Sequence, residues 1–176
     1  MPEYATIIHE TIDDLRRVFQ VINEHSKRAE RGTGLTGPQL WAIKIIADEA
    51  PLRVCDLAHR MYLHAATVIG ILDRLESRNL ITRTRSIQDR REVLIDLSRQ
   101  GKELVKNSPE VAQGLLVAGM EKLSPKTLKD ISAGLKKMVE ILGVQKLPPQ
   151  LMLSPEINVP NRKGAGRPKT KKRVQG

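Results

Sequence analysis

Four arginines crowd the stretch TRTRSIQDRREVLIDL, residues 82–97. Arg83, Arg85, Arg90 and Arg91 stand close enough to repel one another, and Asp89 sits among them. A guanidinium is a planar, permanently charged fork whose N–H donors match phosphate oxygens in pairs. Packing such groups onto a short hairpin is costly unless a polyanion compensates them. The first chemistry this sequence offers is therefore recognition of phosphate, not bond making.

The charge distribution supports that reading. The 176 residues carry 30 Lys/Arg and 20 Asp/Glu, a net +10. Residues 161–176 hold seven of the bases and no acid, and residues 78–91 hold five arginines against one aspartate. The rest of the chain is close to neutral. Two basic patches on a nearly neutral body imply nucleic acid as the partner. Aromatic residues are limited to Tyr4, Phe19, Trp41 and Tyr62, few for a protein that stacks unpaired bases, which favours a duplex. No apolar run approaches the ~20 residues that span a bilayer, and MPEYATIIHETIDD lacks the pattern of a secretory signal. A single cysteine, Cys55, forms no internal disulfide framework. These features imply a cytoplasmic, nucleoid-associated protein without a membrane partner. No glycine-rich phosphate loop, nucleophile–base pair or carboxylate pair in context suggests an enzyme. His9, His25, His59 and His64 show no metal-ligand spacing with Cys55, and no cofactor is expected.

The elements that must position the arginines are set by periodicity. Ile8, Ile12, Leu15, Phe19 and Ile22 predict a long helix over 3–31, stopped at Gly32 and Gly34. Thr36 is a good cap for a second helix with Pro38 in its first turn, and QLWAIKIIADEA is apolar on most sides, as buried helices are. Pro51 breaks the chain. RVCDLAHRM (53–61) is a short helix, and 64–80 supplies another with Val68, Ile71, Leu72 and Leu75 on one face. The period then switches to two: Leu80–Arg85 and Val93, Ile95, Leu97 are strands around the loop Ser86–Arg91. Ser98 opens a helix that Ser108-Pro109 interrupts. Ser124-Pro125 opens the last one, striped by Leu128, Ile131, Leu135, Met138 and Leu142. Beyond Gly143 the chain is rich in proline, glycine and lysine, a composition expected to be disordered.

Two short helices and then an arginine-rich hairpin make a helix-turn-helix with a wing. A major groove about 12 Å wide admits one helix, the preceding helix braces it, and a flanking hairpin can reach phosphates or a narrow minor groove. Here LTGPQLWAIKII, PLRVCDLAHRMYLHAATVIGILDRLESRNLITR and DRREVLIDLSRQGKEL, within residues 35–105, resemble the MarR family of bacterial transcriptional regulators. The most specific element is Asp89-x-Arg91 with LIDLSRQGK after it.

The resemblance implies a fold that is mainly α with a small β-hairpin wing, a winged helix-turn-helix embedded in a helical dimerisation frame. Its parts are a dimerisation helix (1–34), the winged domain (35–100), C-terminal dimerisation helices (101–143) and a basic tail (144–176). The function implied is sequence-specific binding of double-stranded DNA by a homodimeric repressor, on a pseudo-palindromic operator and under control of a small aromatic effector. The alternative is an architectural, largely sequence-independent DNA-binding protein driven by the tail.

Carried over by position, the recognition helix begins near His64 and presents Ala65, Ala66, Thr67 and Gly70 to the groove, with Arg74 nearer the backbone. The family often has serine, lysine or arginine on this face, so hydrogen-bond readout is thin and the alanines and Thr67 are left to touch thymine methyls. Arg83, Arg85 and Arg90 supply wing charge, while Arg91 enters the minor groove oriented by Asp89. Asp73 is read as an intramolecular partner for a nearby arginine, holding helix to wing. Trp41, His59, Met61 and Tyr62 border the effector cleft. Oxidant-sensing relatives carry a cysteine in the first helix; this chain has none there, and Cys55 stands where serine is common. In the tail, Gly166-Arg167-Pro168 with Lys169 is similar to an AT-hook, although Ala165 replaces the usual arginine. Its charge strengthens binding to any duplex.

Overall fold

The computed structural model describes residues 2–87, 89 and 92–151. Helix α1 (Pro2–Thr33) leads into α2 (Gly37–Glu49), a two-residue strand β1 (Leu52–Arg53), α3 (Val54–Arg60) and α4 (Ala65–Ser77). Strands β2 (Ile81–Arg85) and β3 (Val93–Leu97) precede α5 (Arg99–Lys106), α6 (Ala112–Met120) and α7 (Pro125–Ile141). The fold is mainly α with a small antiparallel sheet, as the sequence implies. Among the described residues no helix is long and apolar enough to cross a membrane.

Helix α2 is the centre of the core. Leu40, Ala42, Ile43 and Ile46 are fully buried, against Leu57 of α3, Val68, Ile71, Leu72 and Leu75 of α4, and Ile95 of β3. Its start is fixed locally: Pro38 occupies the first turn, and the Thr36 N–H donates to Gln39 Oε1 at 3.2 Å. Helix α1 ends at Gly34, whose φ of 67° reverses the chain. Arg78, just past α4, donates to the Gly34 carbonyl at 2.5 Å and the Thr33 carbonyl at 3.2 Å. A cation there satisfies carbonyls that α1 leaves open.

The sheet has the order β1-β3-β2, with Leu52 opposite Ile95 and Arg83 opposite Ile95 from the other side. The β2–β3 hairpin read from alternation is present, and β1 adds a third strand on the other edge of β3. Two residues are too few to show a period, so β1 leaves no signature. Pro109 separates two distinct helices, α5 and α6, because the intervening residues 107–111 leave the helical path.

Ser98 joins wing and frame. Its hydroxyl donates to the Asn79 carbonyl at 2.6 Å and accepts from the Gly101 N–H at 3.0 Å, capping α5. Gly101 then lies against β2's approach so tightly that a Cβ would meet the Leu80 carbonyl oxygen at 2.0 Å. Helix α7, by contrast, buries no residue. Leu128, Ile131, Leu135 and Val139 lie open, as do Ile7, Ile8, Ile12, Val18 and Phe19 of α1.

Gly101→Ala is expected to cost at least about 3 kcal/mol, because the obstacle is backbone and not a yielding side chain. Urea unfolding of the two proteins measures the difference; equal midpoints would show that α5 and Leu80 can separate freely.

Candidate nucleic-acid interface

Helix α4 presents two unlike faces. Val68, Ile71, Leu72 and Leu75 enter the core at three/four spacing. The other side leaves Ala65, Ala66 and Arg74 exposed and Thr67 and Gly70 half-buried. His64 is the exposed N-cap residue; its carbonyl accepts from the Thr67 and Val68 N–H groups at 3.0 and 3.2 Å, and its side chain makes no capping bond. Ile69, 45% exposed, is a further apolar residue on the open side, beside Asp73 and Ser77. It lies about a quarter-turn or more away from the stripe of Val68, Ile71, Leu72 and Leu75, so the helical period itself leaves it outside the core.

Strand β2 is locked to α4 by charge. Arg83 Nη2 lies 2.7 Å from Asp73 Oδ1, and its Nε faces Glu76 Oε2 at 3.4 Å. Arg83 is the most enclosed member of the trio, its side chain 23% exposed. The pairing expected of Asp73 is present, and it takes Arg83 as partner, so this arginine's charge is largely spent within the chain. Arg85, two residues on along the same strand face, is exposed. At the turn Asp89 is exposed, with its N–H donating to Ser86 Oγ at 3.3 Å. Arg90 and Arg91, like Arg167 and Lys169 of the tail, lie outside the described residues.

A second ionic cluster braces the wing from the side of α3. Arg53 grips Asp56 with two hydrogen bonds, 2.8 and 3.1 Å, and reaches Glu92 at 2.9 Å. The guanidinium holds the Asp56 carboxyl below its usual range, chiefly through those hydrogen bonds, and the two acids push Arg53 still higher. Cys55, exposed on α3, points its Sγ at Asp56 Oδ1, 3.8 Å away.

Of the residues assigned to an effector cleft, Trp41 and Met61 share one. They line a cavity of about 250 Å³ with Pro38, Leu63, Val117 and Met120. His59 and Tyr62 stand outside it. Their rings stack at 6.4 Å, and Tyr62 donates to Glu121 Oε1 at 2.9 Å, which pushes the phenol's pKa up. Tyr62 therefore ties the α3–α4 turn to the end of α6. No spacing rule could reveal a contact spanning 59 residues.

A braced helix with one open face, ionically clasped to an arginine-bearing wing, defines a winged helix-turn-helix DNA-binding protein. Comparison with known proteins agrees. Residues 35–93 match the MarR family model. The organic hydroperoxide resistance transcriptional regulator of Bacillus subtilis is 32% identical over 108 residues, covering 61% of this chain and 72% of that protein. The HTH-type transcriptional regulator MgrA of Staphylococcus aureus is 31% identical over 128 residues, covering 72% and 85%. Among solved structures, a MepR-like protein complexed with pseudoligands superposes with a TM-score of 0.51 at 25% identity, covering 77% of this chain and 97% of that one. YusO from B. subtilis has the same fold, with a TM-score of 0.50 at 22% identity over 77% of this chain and 96% of that one. The chain belongs to the MarR family and is a DNA-binding transcriptional regulator.

Both ionic clusters can be tested by substitution. A double-mutant cycle on Asp73→Ala and Arg83→Ala, read by urea unfolding, should give a coupling of about 0.5–1 kcal/mol, modest because Asp73 faces solvent. Additive effects would mean that the clasp holds nothing. Asp56 has its folded pKa depressed, so its contribution is present above the unfolded value of about 3.9 and lost as pH falls through the folded one. Asp56→Asn should flatten the acid limb of the stability curve below about pH 4; an unchanged limb would show that this carboxylate is not coupled to folding.

Proposed function

We propose that the chain acts as a homodimeric, sequence-specific repressor on a pseudo-palindromic duplex site, released when a small apolar or aromatic molecule occupies the Trp41 cavity. The observation that carries the DNA reading is the Arg83 clasp to Asp73 and Glu76. It fixes the wing beside the open face of α4, so helix and wing can engage one stretch of duplex together. The open apolar faces of α1, α6 and α7 support the dimer. Val18, Val21, Ile22, Leu115, Leu116 and Leu123 line a groove of about 560 Å³ that a second copy would cover. Two copies would place two recognition helices about one helical turn apart on the duplex.

In this reading Ala65, Ala66, Thr67 and Gly70 allow close approach to the groove floor, and Ile69 adds apolar contact suited to thymine methyls. His64 and Arg74 reach the flanking backbone. Arg85, Arg90 and Arg91 face phosphate or minor groove, with Asp89 orienting Arg91. With so few hydrogen-bonding side chains on α4, much of the sequence preference would come from duplex shape. Arg167 and Lys169 would add affinity without discrimination. Release is a population shift: the ligand favours a dimer whose helices are wrongly spaced.

Selection of bound sites from random duplexes, and then salt titration, tests this. A discrete palindrome should emerge. The triple change Arg85→Gln, Arg90→Gln, Arg91→Gln should weaken binding and flatten the salt dependence by about 0.9 per lost phosphate contact. Recovery of sequence-blind binding would favour the architectural alternative, and an unchanged slope would remove the wing from the interface.

A further inference from the structure

We propose that the Trp41 cavity has a resident occupant, the chain's own segment 151–158, which any small molecule must displace. The observation is Leu151. Past α7, Gly143 adopts a φ of 68° and reverses the chain. Bonds from the Val144 N–H to the Val139 carbonyl (3.2 Å) and from the Leu147 N–H to the Val144 carbonyl (3.0 Å) hold the turn. Pro148-Pro149 then favour an extended path. The segment returns from the far end of α7 to the winged domain, where Leu151 packs against the core and, with Gln150, lines the same cavity as Trp41, Met61, Leu63, Val117 and Met120.

The residues next to Leu151 have the chemistry to fill the cavity. Leu151-Met152-Leu153 is an apolar triplet in a tail otherwise dominated by proline, polar and basic residues. The cavity wall is apolar, and its volume of about 250 Å³ falls below the roughly 300–1,000 Å³ of small-molecule sites. With Leu151 at its rim, the remaining space suits side chains from the adjoining residues better than a separate ligand. Methionine in particular adapts to irregular gaps. A tethered occupant also binds at high effective concentration. The apparent affinity of any added molecule is then reduced by the fraction of chains in which the cleft stands open.

The segment has a second consequence. The basic run starting near residue 161 is about ten residues beyond Leu151, a reach of at most about 35 Å. Seating the triplet keeps that charge close to the winged domain, and displacing the triplet frees it. The cavity can therefore report to the tail without any movement of the recognition helix.

Trp41 is the only tryptophan, so its fluorescence reads the cavity directly, without DNA, and failure here would leave the DNA-binding reading intact. Four proteins are compared: the full chain, a chain ending at Leu147, full-length Leu151→Asp, and full-length Met152→Asp with Leu153→Asp. Circular dichroism checks that each is folded. The last three should show a red-shifted emission and a severalfold rise in acrylamide quenching. A peptide of residues 148–158 added to the truncated chain should reverse both. Equal quenching in the full and truncated chains overturns the proposal. So does a rise that the Met152→Asp, Leu153→Asp protein does not share, or that the peptide does not reverse.

Discussion

The structure depends on one constraint: α2 must be dry. QLWAIKIIADE is apolar around most of its circumference, and the helix is stable only if other elements cover it on nearly every side. Helices α1, α3, α4, α5 and α6 and strand β3 all touch it. That enclosure takes the stripe of Val68, Ile71, Leu72 and Leu75 into the core and leaves Ile69, off the stripe, outside. The open face of α4 is what remains of the helix after α2 has taken its share. Because α2 also carries Trp41 to the cavity and meets α6, a disturbance in that cavity acts on the pillar that holds both the DNA-reading part and the frame.

Charge does the second half of the positioning. A wing of two five-residue strands and a two-residue edge has little core of its own. Its twist relative to α4 is held by Arg83 between Asp73 and Glu76, and its other side by Arg53 between Asp56 and Glu92. Partly exposed ion pairs contribute little to stability singly. Their geometric value is larger, since each clasp spans two elements and removes a hinge. The same residues also sort the arginines. Arg83 is spent at the base of the wing, and Arg85 stands exposed further along β2.

Much of this architecture is legible in the residue pattern. The stripes of α1, α4 and α7, the caps at Thr36, Ser98 and Ser124, and the switch from a period near 3.6 to a period of two all correspond to observed elements, because each is a local rule written in adjacent residues. The pairing of Asp73 with an arginine is readable for the same reason: helix end and strand are joined by a short link. Two features are not. Strand β1 is too short to carry a period. The link between Tyr62 and Glu121 joins residues that only the packing of α6 brings together. Site reasoning divides along the same line, with Trp41 and Met61 meeting at one cavity and His59 and Tyr62 turned away from it.

That division gives Tyr62 a different part to play. At the α3–α4 turn it holds a left-handed φ of 52°, costly for a bulky side chain. Its hydroxyl reaches Glu121, where α6 gives way to the turn before α7. Wing and helix are thus connected to the frame through α2 in the core, through Ser98 and Arg78, and through Tyr62 across the surface. A molecule in the cavity can shift the relative populations of two arrangements only if it contacts them differently. Walls belonging to α2, the α3–α4 turn and α6 meet this requirement, since any change in the angle between winged domain and frame must alter the cavity's shape.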